Sequence, residues 1–289
     1  MALFDSEFLK KLEYLALVSR GMSRGRFFDR QRKKRVGAGL EFAEHRDYSP
    51  GDDLRSLDWN VYARLGTRQI KRFEEEEDLC VYFLLDCSRS MDSGHPNKFD
   101  YARRTAAALS YIALDELDRV CVAAFDSEIR RFFPLTRGKE NILALLDFLE
   151  RLEIGGAATD LAAVARDFLQ RRLRRGPTVI LGDLFDPNGW QTAVDALRFE
   201  RCDPRILEIH DAEEATPTRL GDWELHDAET GAQCQITVTE AVLARYRKRF
   251  TAWLNQLRQE AAQRSVPCSV TRTDLSFEEF VLQILRENK

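Results

Sequence analysis

Val81-Tyr82-Phe83-Leu84-Leu85-Asp86-Cys87-Ser88-Arg89-Ser90 runs through five apolar residues and stops at an acid followed by two hydroxyls two residues apart. An uninterrupted apolar run bounded by polar residues fits a strand buried on both faces, which is the environment of a parallel sheet covered by helices. In such sheets ligands bind beyond the carboxyl ends of the strands. Asp86, Ser88 and Ser90 sit at that end. One carboxylate and two hydroxyls are hard oxygen donors, suited to Mg2+ rather than to zinc.

The pattern around this strand repeats it. Strands are predicted at 79–86, 119–126, 178–183, 205–210 and 267–272, separated by helical periodicity, which indicates a parallel α/β sheet with right-handed crossovers. After the second strand a tight Asp126-Ser127 turn leads into Glu128 to Leu135, which is expected to return as an antiparallel edge. The stretches 222–227 and 233–238 alternate around Glu229-Thr230-Gly231 and read as a surface hairpin, an insertion over about 222–238. A long helix follows from about Glu240 to Arg264, its Leu243, Tyr246, Phe250, Trp253, Leu257 and Ala261 spaced for a core-facing stripe. Ser276 with Glu279 forms a capping box for the last helix. Residues 1–78 read differently: arginine-rich and weakly periodic, with a helix from Asp5 to Ser19 and an irregular remainder. They are expected to be an extension packed on a core domain of 79–289.

Composition bounds the function classes. A chain of 289 residues with 44% apolar side chains can bury a substantial core. Its apolar runs fall short of the ~20 residues that span a bilayer, and the start Met1-Ala2-Leu3-Phe4-Asp5 lacks a secretory layout, so the expected location is cytoplasmic. Six cysteines at 80, 87, 121, 202, 234 and 268 form no C-x-x-C pair, an argument against disulfides and a zinc site. The net charge of −4 conceals a basic stretch from Arg20 to Arg35 and five successive acids from Glu74 to Asp78. Either can be simply a solvated face.

A single loop cannot enclose an octahedral cation, so a metal site needs oxygens from other strand ends. Two places offer them. Ile154-Gly155-Gly156-Ala157-Ala158-Thr159-Asp160-Leu161 is a glycine-containing loop before a helix, and Thr178-Val179-Ile180-Leu181-Gly182-Asp183 is another buried strand ending in an acid. Each piece also has a purely structural reading: Asp86 as a loop cap, Ser88 or Ser90 as turn residues, Thr159 as a helix N-cap.

D-x-S-x-S at 86–90, the threonine loop at 155–159 and the acid at 183 together resemble the metal-ion-dependent adhesion site of von Willebrand factor A domains. The usual third motif, T-D-G, is here Gly182-Asp183-Leu184, a departure from that pattern. The resemblance implies a Rossmann-like, doubly wound, mostly parallel six-stranded sheet with an antiparallel edge strand. It implies that Ser88 and Ser90 bind Mg2+ directly, with Mn2+ or Ca2+ as alternatives, and Thr159 directly or through water. Asp86 and Asp183 would act largely through water or hydrogen bonds, leaving a coordination position for a partner's carboxylate.

Upstream, Arg46-Asp47-Tyr48-Ser49-Pro50-Gly51-Asp52-Asp53-Leu54-Arg55-Ser56-Leu57-Asp58-Trp59 resembles the signature R-x-Y-x-P-G-D-D-x-R-x-I-D-W of the domain of unknown function fifty-eight family. The resemblance implies partnership with a MoxR-type AAA+ ATPase and a chaperone-like role in assembly or maturation of other proteins. This chain has no G-x-x-x-x-G-K-[ST] loop of its own. The signature's charged residues are expected to knit an irregular scaffold in which Leu57, Trp59 and Tyr62 are buried, with Arg46, Arg55, Arg64 and Arg72 as an alternative anion surface.

The expected function is therefore a non-enzymatic, Mg2+-dependent adaptor that binds the ATPase, or a client supplying an acidic ligand, through Asp86, Ser88, Ser90, Thr159 and Asp183. A metal-dependent phosphoesterase is the main rival. It is disfavoured because no second acid stands at position 88, no lysine occupies a matching loop, and the histidines at 45, 95, 210 and 226 are dispersed. Nucleic-acid or anionic-surface binding through Arg20 to Arg35 lacks a recognised module and has only Phe27 and Phe28 for stacking.

Overall fold

The computed structural model describes residues 3–21, 34–37, 41–76, 78–156, 159–227 and 231–287, with backbone alone at 21, 34–37, 41–44, 72–76 and 287. The chain divides into two compact units, Met1–Phe28 with Cys80–Lys289, and Asp29–Leu79.

The larger unit is built on a six-stranded sheet. Its strands are β4 (Cys80–Asp86), β5 (Arg119–Phe125), β6 (Ile129–Arg137), β7 (Pro177–Gly182), β8 (Asp203–His210) and β11 (Cys268–Arg272), in the order β11-β8-β7-β4-β5-β6. All pairings are parallel except β5 with β6, the antiparallel edge expected from the Asp126-Ser127 turn. All seven residues of β4 are buried because helices cover both faces. On one face Tyr82 and Leu84 pack with Val164 and Phe168 of α5 (Leu161–Gln170) and with Val194 and Leu197 of α6 (Gln191–Phe199). On the other lies α3 (Lys98–Asp115), which contacts β4, β5, β7 and β8 and is flanked by α1 (Ser6–Gly21), α4 (Ile142–Glu150) and α9 (Phe277–Glu287). Helix α1 joins this layer through Phe8 on Phe277 and Lys11 on Glu278. No helix among the described residues is long and apolar enough to cross a membrane.

Between β8 and β11 the chain adds the short α7 (Ala212–Ala215), a hairpin of β9 (Gly221–His226) and β10 (Gln233–Val238), and α8 (Glu240–Gln263). The expected stripe on α8 holds for Leu243, Phe250, Leu257 and Ala261, which are buried, whereas Tyr246 is 42% exposed. Ser276 Oγ accepts the Glu279 amide at 3.2 Å, one of the two bonds of the expected capping box.

The smaller unit corrects the expectation of an irregular segment. It is a three-stranded antiparallel sheet, β1 (Lys34–Gly37), β2 (Glu41–Asp47) and β3 (Gln69–Glu76) in the order β1-β3-β2, with α2 (Trp59–Leu65) in the β2–β3 connection. Its strands carry so few apolar residues that their two-residue alternation is faint; they are joined by antiparallel backbone pairing. The signature residues close the connection with three aspartates. Asp52 accepts from Arg46 at 2.5 Å and from the Ser49 amide at 2.8 Å, and Asp53 accepts the Arg55 amide at 2.9 Å. Asp58 caps α2 through Asn60 and Val61 and binds His45 at 2.9 Å and Lys71 at 3.3 Å, the last two being direct cross-strand neighbours. Gly51 takes φ 106°, which the turn requires of a glycine. Leu57 is buried as expected, but Trp59 and Tyr62 are 62% and 40% exposed on the short α2, none of whose residues is buried. Of the alternative anion surface, Arg46 is occupied by Asp52, and the Arg72 side chain lies outside the described residues. Most of the basic stretch from Arg20 to Arg35 does as well.

The hydrogen bond from His45 holds the Asp58 carboxyl down at about 2, from an ordinary 3.8. A depressed acid stabilises the fold above its unfolded value, and that contribution is lost as pH falls from about 4 through about 2. A carboxyl-carbon NMR titration is expected to place the Asp58 midpoint near 2 in the wild type and closer to 3.8 in His45→Ala.

Candidate metal and docking site

From β4 the chain crosses through α3 to β5 on one side, and it later returns as β7 on the other. This reversal is a topological switch point, where adjacent strand ends diverge and leave a crevice at their carboxyl edge. Asp86 ends β4 and Asp183 follows β7, so both stand at that crevice, and both are fully buried.

Asp86 shapes its own loop. Its Oδ1 accepts the Ser88 amide at 2.8 Å, and Ser88 Oγ lies 3.0 Å from Ser90 Oγ, giving a close pair of hydroxyls, the first buried and the second half-buried. Ser88 precedes a 3-10 turn at Arg89–Met91 and makes no side-chain cap to its backbone; its hydroxyl meets the turn only through Ser90.

Thr159 is brought to the same edge by a stapled loop. The Gly155 amide donates to the Cys87 carbonyl at 2.9 Å, the Asp160 amide to the Asp126 carbonyl at 3.4 Å, and the Leu161 amide to Asp186 Oδ2 at 2.7 Å. A side chain at Gly156, where φ is 64°, would overlap the Asp126 carboxylate. The N-cap of α5 is Asp160, whose Oδ1 accepts the Ala163 amide at 2.8 Å, which removes the capping role considered for Thr159. Thr159 is 2% exposed and its Oγ1 has no hydrogen-bond partner among the described residues. An unsatisfied buried hydroxyl costs about 1–3 kcal/mol.

Asp183 has both oxygens engaged. Oδ1 accepts the Phe185 amide at 3.2 Å and Oδ2 accepts Lys98 Nζ at 3.0 Å. Lys98 also donates to Glu214 at 2.6 Å and lies 5.7 Å from the Phe185 ring centre, with no exposed surface. Burial opposes the ammonium charge, but Asp183 and Glu214 more than offset it and hold the Lys98 proton above its ordinary range. Leu184, in the place where T-D-G has glycine, adopts φ 57° and is 4% exposed. The left-handed backbone costs a non-glycine residue about 1–2 kcal/mol, and burying the leucine side chain returns about 1.5–3 kcal/mol. The loop therefore keeps a glycine-like backbone without the glycine.

Three features at this edge were not read from sequence. Lys98 stands not in a strand-end loop, where a catalytic lysine is expected, but at the start of α3. A cation at the first position of a helix opposes the helix dipole, and that anomaly is the signal. Glu208 and His210 interrupt the buried β8 run and pair at 2.9 Å; burial pushes the Glu208 carboxyl up to about 7, and His210 works against that shift. Asp126 ends β5 as Asp86 ends β4, but was read only as a turn. It is fully buried and binds Arg130 at 2.6 Å. Cys87, between the two acids in the chain, donates to the Phe125 carbonyl at 3.0 Å, and burial raises its thiol to about 12, which leaves it unreactive. Among the described residues no group of three or more His, Cys, Asp or Glu is arranged to hold a metal. The candidate site depends instead on hydroxyls.

Comparison with known proteins fixes the family. The sequence profile described as "Protein of unknown function DUF58" matches residues 44–259. The chain belongs to the DUF58 family. Curated relatives include the uncharacterized proteins Rv1480 of Mycobacterium tuberculosis and Mb1516 of Mycobacterium bovis, each 30% identical over 218 residues, 71% of this chain. The match spans 66% of those relatives' own length. Solved structures similar to this chain include the conserved hypothetical protein BatB from Bacteroides thetaiotaomicron, with a TM-score of 0.43 at 16% identity, covering 73% of this chain and 98% of BatB. Another is an aerotolerance-related membrane protein from Bacteroides fragilis, with a TM-score of 0.44 at 17% identity, covering 72% of this chain and 99% of that one. The DUF58 match takes in the β2–β3 signature loop, the strand-tip residues and most of α8.

Proposed function

We propose that this DUF58 protein is a non-enzymatic adaptor whose strand-tip site engages an acidic group of a partner protein through a divalent cation. The partner would be a MoxR-type AAA+ ATPase or its client, as the family resemblance implies. The observation that carries the reading is the unsatisfied, buried Thr159 hydroxyl, on a loop stapled to the strand ends that also carry the Ser88–Ser90 hydroxyl pair. A hard cation or its water is the natural partner for such a set. Ser88, Ser90 and Thr159 would hold the ion, and Asp86 would fix the Ser88 loop from behind. Asp183, already neutralised by Lys98, would contribute through water or a hydrogen bond. When bound, the ion would supply a Lewis-acidic position for the partner's carboxylate.

The hydrolase alternative gains Lys98 but not a usable acid. The lysine is fully buried, and its proton is held by two carboxylates.

Pull-down of the cognate ATPase by the full chain tests the proposal. Binding is expected to need Mg2+, to vanish in EDTA, and to weaken about ten- to hundredfold in Asp86→Ala. A complex indifferent to both treatments would remove the metal-bridged reading.

A further inference from the structure

A second surface lies beside the hairpin. Its register pairs Trp223 with Ile236, Leu225 with Cys234 and Gly221 with Val238, so one face is apolar, while Asp222, Glu224, Gln235 and Thr237 lie on the other. The apolar face and the Val242–Tyr246 turn of α8 line a groove of about 350 Å3. Leu225 and Tyr246 remain 50% and 42% exposed there, and Leu220, just before β9, is 51% exposed. The hairpin pairs with no other strand among the described residues.

The charge around the groove is one-sided. At one rim Glu213 and Arg219 neutralise each other at 3.3 Å. On the α8 side, Arg245 and Arg249 stand three residues after Val242 and Tyr246, are exposed, and make no ion pair among the described residues.

We infer that this groove docks a short segment of a partner protein in which apolar side chains are flanked by acidic residues. A volume of about 350 Å3 is at the low end of ligand cavities and suits two or three anchoring side chains, not the face of a folded domain. A second copy of this chain is disfavoured, because a two-fold contact through this groove would bring two copies of the same basic helix face into one interface. Acidic flanks answer the basic helix face and make association steeply salt-dependent.

Panning a random twelve-residue phage-displayed peptide library against the full chain tests this, followed by fluorescence anisotropy with the recovered peptides. Apolar cores flanked by Asp or Glu are expected. Leu225→Asp should weaken their binding about tenfold or more, and Arg245→Glu with Arg249→Glu should weaken it several-fold and flatten its salt dependence. Both changes are at exposed positions, and circular dichroism should show an unaltered fold. EDTA and Asp86→Ala should leave peptide binding intact, which separates this groove from the strand-tip site. Failure to enrich peptides, enrichment without acidic flanks, binding that survives both variants, or EDTA-sensitive binding would each overturn the inference. So would a dimer in sedimentation that Leu225→Asp converts to monomer, since a second copy would then be the occupant.

Discussion

Lys98→Met is expected to destabilise the sheet domain by about 3–5 kcal/mol, the usual cost of removing one partner from a buried ion pair. The size follows from what is left behind. Lys98 and Asp183 expose 0% and 1% of their side chains, so without the ammonium the Asp183 carboxylate keeps, among the described residues, only the Phe185 amide and must either bear its charge while buried or take up a proton. Methionine matches the aliphatic length of lysine, so little of the loss comes from packing. Urea denaturation followed by near-ultraviolet circular dichroism gives the value, and Lys98→Met with Asp183→Asn should recover much of it, because the stranded charge is gone. A double variant as unstable as the single one would show that Lys98 acts through its stem and not its charge. The same variant bears on the metal proposal: with Asp183 released, Mg2+ should raise the melting temperature of Lys98→Met more than that of the wild type.

The balance at Lys98 marks how far the sequence could be read. Strand β4, its neighbours and the antiparallel edge were legible because a strand buried on both faces leaves an unbroken apolar run, and Asp86 and Asp183 stood out as the acids that end such runs. What turned the site from a list of oxygens into an electrostatic arrangement was not legible. Lys98 is 85 residues from Asp183, and Glu214 is 116 residues from Lys98; only the crossover of α3 beneath β7 and β8 brings them together. The smaller unit was missed for a different reason. Strands β2 and β3 have polar residues at most positions on both faces, so alternation carried no signal, and the aspartates that close their connection looked like a charged irregular loop. Exposure of Trp59 and Tyr62 was equally hidden, since aromatic content alone does not say which face of a seven-residue helix is covered.

Gly182→Ala is expected to cost about 1–3 kcal/mol, the range for overpacking a filled core, and to abolish Mg2+-dependent partner binding while leaving the chain folded. The residue needs no unusual φ; what demands glycine is proximity. An added Cβ would stand 2.6 Å from Asp86 Cβ and 2.9 Å from Asp86 Oδ2. The first contact is the harder to relieve, because Asp86 Cβ is fixed to the strand and no rotation of χ1 moves it, so β4 and β7 must part at their carboxyl ends or Asp86 must tilt. Either motion pulls Oδ1 from the Ser88 amide and opens the Ser88–Ser90 hydroxyl pair. Gly155→Ala is the matched control on the threonine loop: its added Cβ would approach Asp126 Oδ2 no closer than 3.4 Å, an ordinary contact, and binding should survive. Chemical denaturation and the Mg2+-dependent pull-down on the two variants separate the effects. If Gly182→Ala loses stability but binds its partner as the wild type does, the position of Asp86 matters to the fold alone, and recognition must lie elsewhere on the chain.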